Sequence, residues 1–306
     1  MRGIVTKSTG SWYQVMDDDG QNYECRIKGK FRTQGIKTTN PIAVGDFVEF
    51  ELEPGQQSGV INTLLPRRNY IIRRSVNLSK QTQIIGANLD QAVLVVTLAS
   101  PATSTGFIDR FLVTAEAYSI PAILVFNKLD LFSEEGLEIL AEYMALYGGL
   151  GYPCYAVSAL KGEHIQELQE LLKDKTTLVS GHSGVGKSTL INAVVPGLEL
   201  KTGIISEWSD KGKHTTTFAE MIMLPFGGKL IDTPGIRELG IVDIEPQELS
   251  HYFPEMRALM NQCKFHNCRH INEPGCAVLE ALENGEIDPS RYDSYLSIYN
   301  NENNRN

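Results

Sequence analysis

Residues 181–188 read Gly-His-Ser-Gly-Val-Gly-Lys-Ser, the spacing G-x-x-x-x-G-K-[ST]. That pattern cradles nucleotide phosphates when it joins a strand to a helix. Glycines let the backbone curl so that successive N–H groups point at phosphate oxygens. The helix start adds its partial positive charge. Gly181, His182, Ser183, Gly184, Val185 and Gly186 are therefore expected to line the phosphates, with Thr189 following. Lys187 is expected on the β- and γ-phosphates, and the Ser188 hydroxyl on Mg²⁺. The apolar run at 177–179 and the helix-forming run at 187–194 supply the required context.

A phosphate loop alone does not separate ATP from GTP. Asn127-Lys128-Leu129-Asp130 follows an apolar run that reads as a buried strand, and ligands bind at such strand ends. The Asp130 carboxylate can accept both the N1–H and the exocyclic amine of guanine, a donor pair adenine lacks. Asn127 is expected to tie this segment to the phosphate loop, and the Lys128 stem to pack on the base. Ser158-Ala159-Leu160 suits the loop whose backbone N–H meets guanine O6. Asp232-Thr233-Pro234-Gly235 ends another strand. There Asp232 is expected to hold Mg²⁺ through water and the Gly235 N–H to meet the γ-phosphate. Thr215 or Thr216, within Lys211–Thr217, supplies a further Mg²⁺ ligand. Each short motif alone carries little. Together at strand ends they resemble the G motifs of the translation-factor class of GTPases.

Ordinary GTPases run phosphate loop, switch threonine, D-x-x-G, N-K-x-D, S-A-x. Here N-K-L-D and S-A-L come first, so the domain reads as circularly permuted, a change compact domains tolerate because their termini lie close together. The segment after Gly235 then leads straight into the C-terminal region. Where many GTPases place a water-orienting glutamine after D-x-x-G, this chain has Ile236. His214, beside the switch threonines, is the candidate catalytic residue.

Cys263, Cys268, His270 and Cys276 fall within fourteen residues. Three thiolates and an imidazole match a closed, structural zinc site. His266 lies inside the cluster and competes with His270 for the fourth position. The other two cysteines, Cys25 and Cys154, read as small core residues.

These groups must be held by a frame. Residues 1–70 show about five short alternating segments separated by turns such as Asp17-Asp18-Asp19-Gly20, which suits a small closed barrel of the oligonucleotide-binding (OB) type. Arg26, Lys28, Lys30, Phe31 and Arg32 set basic residues beside an aromatic, as RNA-binding barrels do. Residues 67–74 form a basic connector, either a linker or a further RNA contact. Residues 71–238 alternate strands and helices, as a doubly wound α/β P-loop domain requires. The strand pair near 220–224 and 229–231 reads as a hairpin, one member an antiparallel edge. Residues 239–306 carry the metal ligands and then Tyr292, Tyr295, Ile298 and Tyr299 at helical spacing, expected to pack on the metal knob.

Hydrophobic residues make up 42% of the 306-residue chain, and no run of about 18 apolar residues suggests a membrane helix. With no signal-peptide pattern, a cytoplasmic protein is expected. Residues 1–80 hold 12 Lys and Arg against 8 Asp and Glu, while the whole chain is at −9. A basic front on an acidic body fits a nucleic-acid contact.

The barrel, the permuted G motifs with G-H-S-G-V-G-K-S-T and D-T-P-G-I-R-E, and the C-x4-C-x-H-x5-C knob together resemble the bacterial small-ribosomal-subunit-dependent GTPases of the RsgA (YjeQ) family. The resemblance implies a GTPase stimulated by the 30S subunit, acting late in its maturation and contacting 16S rRNA through barrel and zinc domains. It implies one structural Zn²⁺, and Mg²⁺ with GTP. A monomer is expected. The rival readings are a GTP-gated RNA-binding switch with negligible intrinsic turnover, suggested by Ile236, and an ATPase or kinase using the phosphate loop alone.

Overall fold

The structure is a computed structural model describing residues 1–27, 41–56, 58–74, 82–198, 219–232 and 244–300. Strands β1 (Arg2–Ser8), β2 (Tyr13–Asp17), β3 (Asn22–Ile27), β4 (Phe47–Leu52) and β5 (Gly59–Leu64) run β1-β2-β3-β5-β4 and close by β1 pairing with β4. Among the described strands of the barrel only β3 and β5 pair in parallel. Alternation sends every second side chain inward: Val5, Tyr13, Val15, Cys25, Val48, Phe50 and Ile61 fill the barrel. Asp17 Oδ1 accepts the N–H groups of Asp19 and Gln21, which sharpens the β2–β3 turn. The expected barrel is present.

The second unit is built on β8 (Gln91–Val96), β9 (Ala122–Phe126), β10 (Cys154–Ala156), β11 (Thr176–Ser180), β12 (Glu220–Met223) and β13 (Lys229–Asp232), in the order β10-β9-β8-β11-β13-β12. All are parallel except β12. Helices α1 (Thr105–Ala117), α2 (Glu134–Gly149), α3 (Ile165–Leu172) and α4 (Lys187–Val194) cover it. The β8 run explains the layering. Ala92, Leu94 and Val96 pack with α1 and α2, while Val93 and Val95 pack with α3 and α4. A continuous apolar strand is what two covered faces demand. Ser133 caps α2, its hydroxyl accepting the Gly136 N–H at 3.2 Å.

Two features depart from the sequence reading. The connector is not a plain linker. Strands β6 (Tyr70–Arg74) and β7 (Thr82–Ala87) form their own antiparallel pair. Arg67 is nearly buried and grips Asp46 through two 2.6 Å bonds, while Arg68 binds Asp90 and the Leu89 carbonyl. Arg67 is turned inward, while Arg68 keeps an exposed side chain alongside its bond to Asp90. Second, β12 is antiparallel as expected but is not an edge. Its Glu220 lies opposite Lys7 of β1, so barrel and α/β sheet form one eleven-stranded sheet. Pairing across that sequence separation leaves no local pattern.

Beyond residue 244 the chain forms short helices, chiefly α5 (Pro254–Leu259), α6 (Ala277–Glu283) and α7 (Pro289–Tyr299). Their core recruits Val113 of α1 alongside Phe253, Met256, Val278 and Tyr295. Arg291 of α7 is buried between the two units, bound to Asp109 of α1 and to Glu255 of α5. Among the described residues no helix is long and apolar enough to cross a membrane.

Candidate nucleotide and metal sites

The phosphate-loop segment joins β11 to α4, as its spacing requires. Gly181, Gly184 and Gly186 take φ of +146°, +85° and +92°. At Gly181 and Gly186 the neighbours leave no room for a side chain. A Cβ on Gly186 would sit 2.5 Å from Asn127 Nδ2, and one on Gly181 would strike the Val95 carbonyl. Val185 is fully buried and roots the loop in the core. Lys187 arcs back over the loop, its Nζ donating to the carbonyls of Gly181 (2.5 Å) and His182 (2.7 Å). Ser183 and Gly184 are exposed, while Ser188 and Thr189 are half-buried at the helix start.

Asn127, 1% exposed, is the hub. Its Nδ2 donates to Val185 O at 2.9 Å and its Oδ1 accepts the Ala159 N–H at 3.1 Å. One amide thus joins the ends of β9 and β10 to the phosphate loop. Lys128 sits at φ +67°, a left-handed conformation rare for a side-chain-bearing residue and typical of functional sites. Its Nζ reaches Ser100 O at 2.6 Å. The Leu129 N–H donates to Val157 O. Asp130 Oδ1 accepts the Ser158 hydroxyl at 2.5 Å, and that hydroxyl accepts the Lys161 N–H. The carboxylate is therefore oriented before any base arrives. Asp232 is the last residue of β13, its backbone in register with Val179 of the strand feeding the loop. His214, Thr215, Thr216 and Gly235 lie outside the described residues.

Sequence reasoning missed the segment following β8. Phe107, in the first turn of α1, stacks on His182 at 3.6 Å between ring centroids and 28° between planes. Pro101 lies against Gly184. No periodicity or spacing marks these residues, because their partners are remote in sequence.

Cys263, Cys268, His270 and Cys276 converge, with all four donor atoms within 4.8 Å of one another. His270 Nδ1 is 3.3 Å from Cys276 Sγ and 3.6 Å from Cys263 Sγ. Donors on a tetrahedral zinc ion sit about 3.5–3.8 Å apart, so the set fits such an ion. Burial lowers the His270 pKa, favouring the neutral imidazole a metal needs. Burial first, then the crowding of sulfurs, pushes the Cys268 thiol up to about 12, a cost a cation among them would remove. His266, the rival ligand, is exposed and outside the cluster. His270 adopts φ +57°. Its carbonyl accepts the Tyr292 hydroxyl at 2.7 Å, and Arg269 O accepts that of Tyr295, so the tyrosine stripe does pack on the knob. Glu273 braces the turn. Burial raises its pKa, but backbone N–H groups of Ile271, Arg269 and Asn272 outweigh this and hold it at about 2.

On the barrel, Arg26 pairs with Glu53 at 2.5 Å on the surface. Lys28, Lys30, Phe31 and Arg32 lie outside the described residues. Burial pushes the Cys25 and Cys154 thiols up to about 11, as expected of inert packing residues.

Comparison with known proteins bears on this arrangement. The family model described as RsgA N-terminal domain matches residues 2–61, and that of the RsgA GTPase matches residues 64–242. The chain belongs to the RsgA family. It is therefore a GTPase, a GTP hydrolase. It is 56% identical over 304 residues to the "Small ribosomal subunit biogenesis GTPase RsgA" of Christiangramia forsetii, covering 99% of this chain and 96% of that one. The Bacteroides fragilis protein of the same description is 55% identical over 97% of this chain and 96% of its own. Among solved structures, YjeQ from Thermotoga maritima superposes with a TM-score of 0.81 at 42% identity, covering 100% of this chain and 99% of that one. YloQ, described as a circularly permuted GTPase, does so at 0.75 and 32% identity, over 100% and 96%. This chain thus joins a circularly permuted GTPase fold to an N-terminal barrel and a C-terminal Cys/His cluster suited to zinc.

Proposed function

We propose that this RsgA-family protein binds the small ribosomal subunit, hydrolyses GTP there, and uses the reaction to drive a conformational change and release late in 30S maturation. The single observation that supports this best is the Asn127 hub, which makes the phosphate loop and the two guanine-side segments one rigid site. Guanine lies between Lys128 and the 158–159 turn, with Asp130 accepting N1–H and the amine and the Ala159 N–H near O6. Lys187 leaves the Gly181 and His182 carbonyls for the β- and γ-phosphates. Ser188, Thr215 or Thr216, and Asp232 through water hold Mg²⁺, which offsets charge on the leaving phosphate. The Gly235 N–H meets the γ-phosphate, and His214 positions the attacking water. Cys263, Cys268, His270 and Cys276 hold one structural Zn²⁺.

The working division is barrel 1–70, GTPase 71–238 and metal-bearing unit 239–306. The barrel, with Arg26, Lys28, Lys30, Phe31 and Arg32, contacts 16S rRNA. The protein acts as a cytoplasmic monomer. The relatives' description as small-subunit biogenesis factors supports the partner. Multiple-turnover phosphate release from GTP, with purified 30S or 50S subunits added, tests the reading. Turnover is expected to rise with 30S only. Equal stimulation by both, or GTP and ATP competing equally for the site, refutes it. GTP binding with no turnover under any condition leaves the rival reading, a GTP-gated RNA-binding switch. His214→Ala is expected to lower stimulated kcat; an unchanged kcat removes His214 from the mechanism.

A further inference from the structure

The phosphate loop carries three glycines with positive φ. Such a loop loses much conformational freedom when it closes on an anion, unless something holds it beforehand. Val185 and Asn127 fix its C-terminal half. Its N-terminal half is held from a different direction, by the loop after β8 and the first turn of α1. Phe107 stacks on the His182 ring. Pro101 backs Gly184, where an added Cβ would come within 3.3 Å of Cδ. Ser100 O accepts Lys128 Nζ. The His182 peptide matters because its carbonyl accepts Lys187 Nζ at 2.7 Å. A clamp on the His182 ring therefore sets the peptide that parks Lys187.

Phe107 is itself anchored. Two residues along α1, Asp109 receives the Arg291 guanidinium at 2.5 Å and the Tyr147 hydroxyl at 2.9 Å, all buried. The helix cannot easily rotate to withdraw the ring.

We propose that Phe107 is a positioning residue for the nucleotide: its stack on His182 holds the phosphate loop in binding shape. This rests on the reading of residues 181–188 as the phosphate loop. An aromatic pair of this kind corresponds to about a 2- to 10-fold effect on affinity.

The test is titration of the full chain with a fluorescent N-methylanthraniloyl GDP, alongside thermal unfolding of the nucleotide-free protein. Phe107→Leu keeps apolar volume without the ring and should weaken binding about 2- to 10-fold. Phe107→Tyr should bind like the wild type. In a His182→Ala background, Phe107→Leu should add nothing further. A residue that only supports the fold would lower the melting temperature of Phe107→Leu without changing affinity, and that result overturns the proposal. So do independent, multiplying effects of the two changes. Lys187→Ala separates the two layers. If it loses nucleotide while Phe107→Leu does not, the clamp alone is wrong. If it binds as well as wild type, the phosphate-loop reading falls and the clamp with it.

Discussion

Arg291→Met tests how firmly the C-terminal helical unit is tied to the GTPase unit. Arg291 is 1% exposed. Its Nε and Nη2 donate to the two oxygens of Glu255 at 2.7 and 3.2 Å, its Nη1 donates to Asp109 at 2.5 Å, and its guanidinium lies 4.7 Å over the Phe253 ring. Methionine keeps much of the apolar stem and removes the charge, leaving Asp109 buried without a cation. Breaking one side of such a pair costs about 3–5 kcal/mol. At about 2–4 °C per kcal/mol, that is a fall of about 6–20 °C in melting temperature. The loss should depend on pH with a definite sign. Burial raises the Asp109 pKa even though Arg291 opposes it. A carboxyl with a raised folded pKa binds its proton more tightly when folded, so its contribution declines as pH rises from the unfolded value through the folded one. Without Arg291 the folded value climbs further. The deficit of Arg291→Met should therefore be greatest at pH 7 and smaller at pH 5, since lower pH favours protonation of Asp109. Asp109→Asn added to Arg291→Met should recover part of the loss at pH 7. Thermal unfolding followed by circular dichroism at both pH values measures this. A deficit under about 1 kcal/mol, or one identical at both pH values, refutes the reasoning.

Three further outcomes follow from the sites. Asp130→Asn removes two charge-assisted bonds of about 1.5–3 kcal/mol each, so GTP affinity should fall at least 100-fold in competition binding, while xanthosine triphosphate, with a carbonyl where guanine has its amine, should gain. Gly186→Ala forces a Cβ against Asn127 Nδ2 at φ +92°; a strain of about 1–3 kcal/mol should appear in the unfolding midpoint, together with loss of nucleotide binding. Stripping metal with a strong chelator, or Cys263→Ser, should remove one zinc per chain by elemental analysis and reduce helical circular dichroism from α6 and α7, whose tyrosines close on the knob; unchanged spectra would separate metal from fold.

The sequence by itself determined much here because several kinds of signal are local. The β8 run is apolar throughout because both its faces are covered, Ser133 announces the start of α2, and the barrel strands alternate with their turns. The chemistry-bearing motifs were legible as well, since a loop that receives phosphate needs its glycines and lysine at set intervals along one stretch of chain. The choice between His266 and His270 was not local. It depended on a left-handed turn at His270 that Glu273 and the α7 tyrosines hold in place. The β6–β7 pair went unread because β6 ends in Arg73 and Arg74, so that its stretch read as a basic connector. The inward role of Arg67 depends on Asp46, and that of Arg291 on Asp109, far away in the chain. Likewise β12 looked like an edge because its second neighbour, β1, comes from the opposite end of the sequence. What only the tertiary structure decided is therefore how units meet: one sheet running from barrel to phosphate loop, Phe107 on His182, and a buried arginine joining α1 to α5. Such contacts are set by three-dimensional packing between residues whose separation along the chain carries no periodic trace.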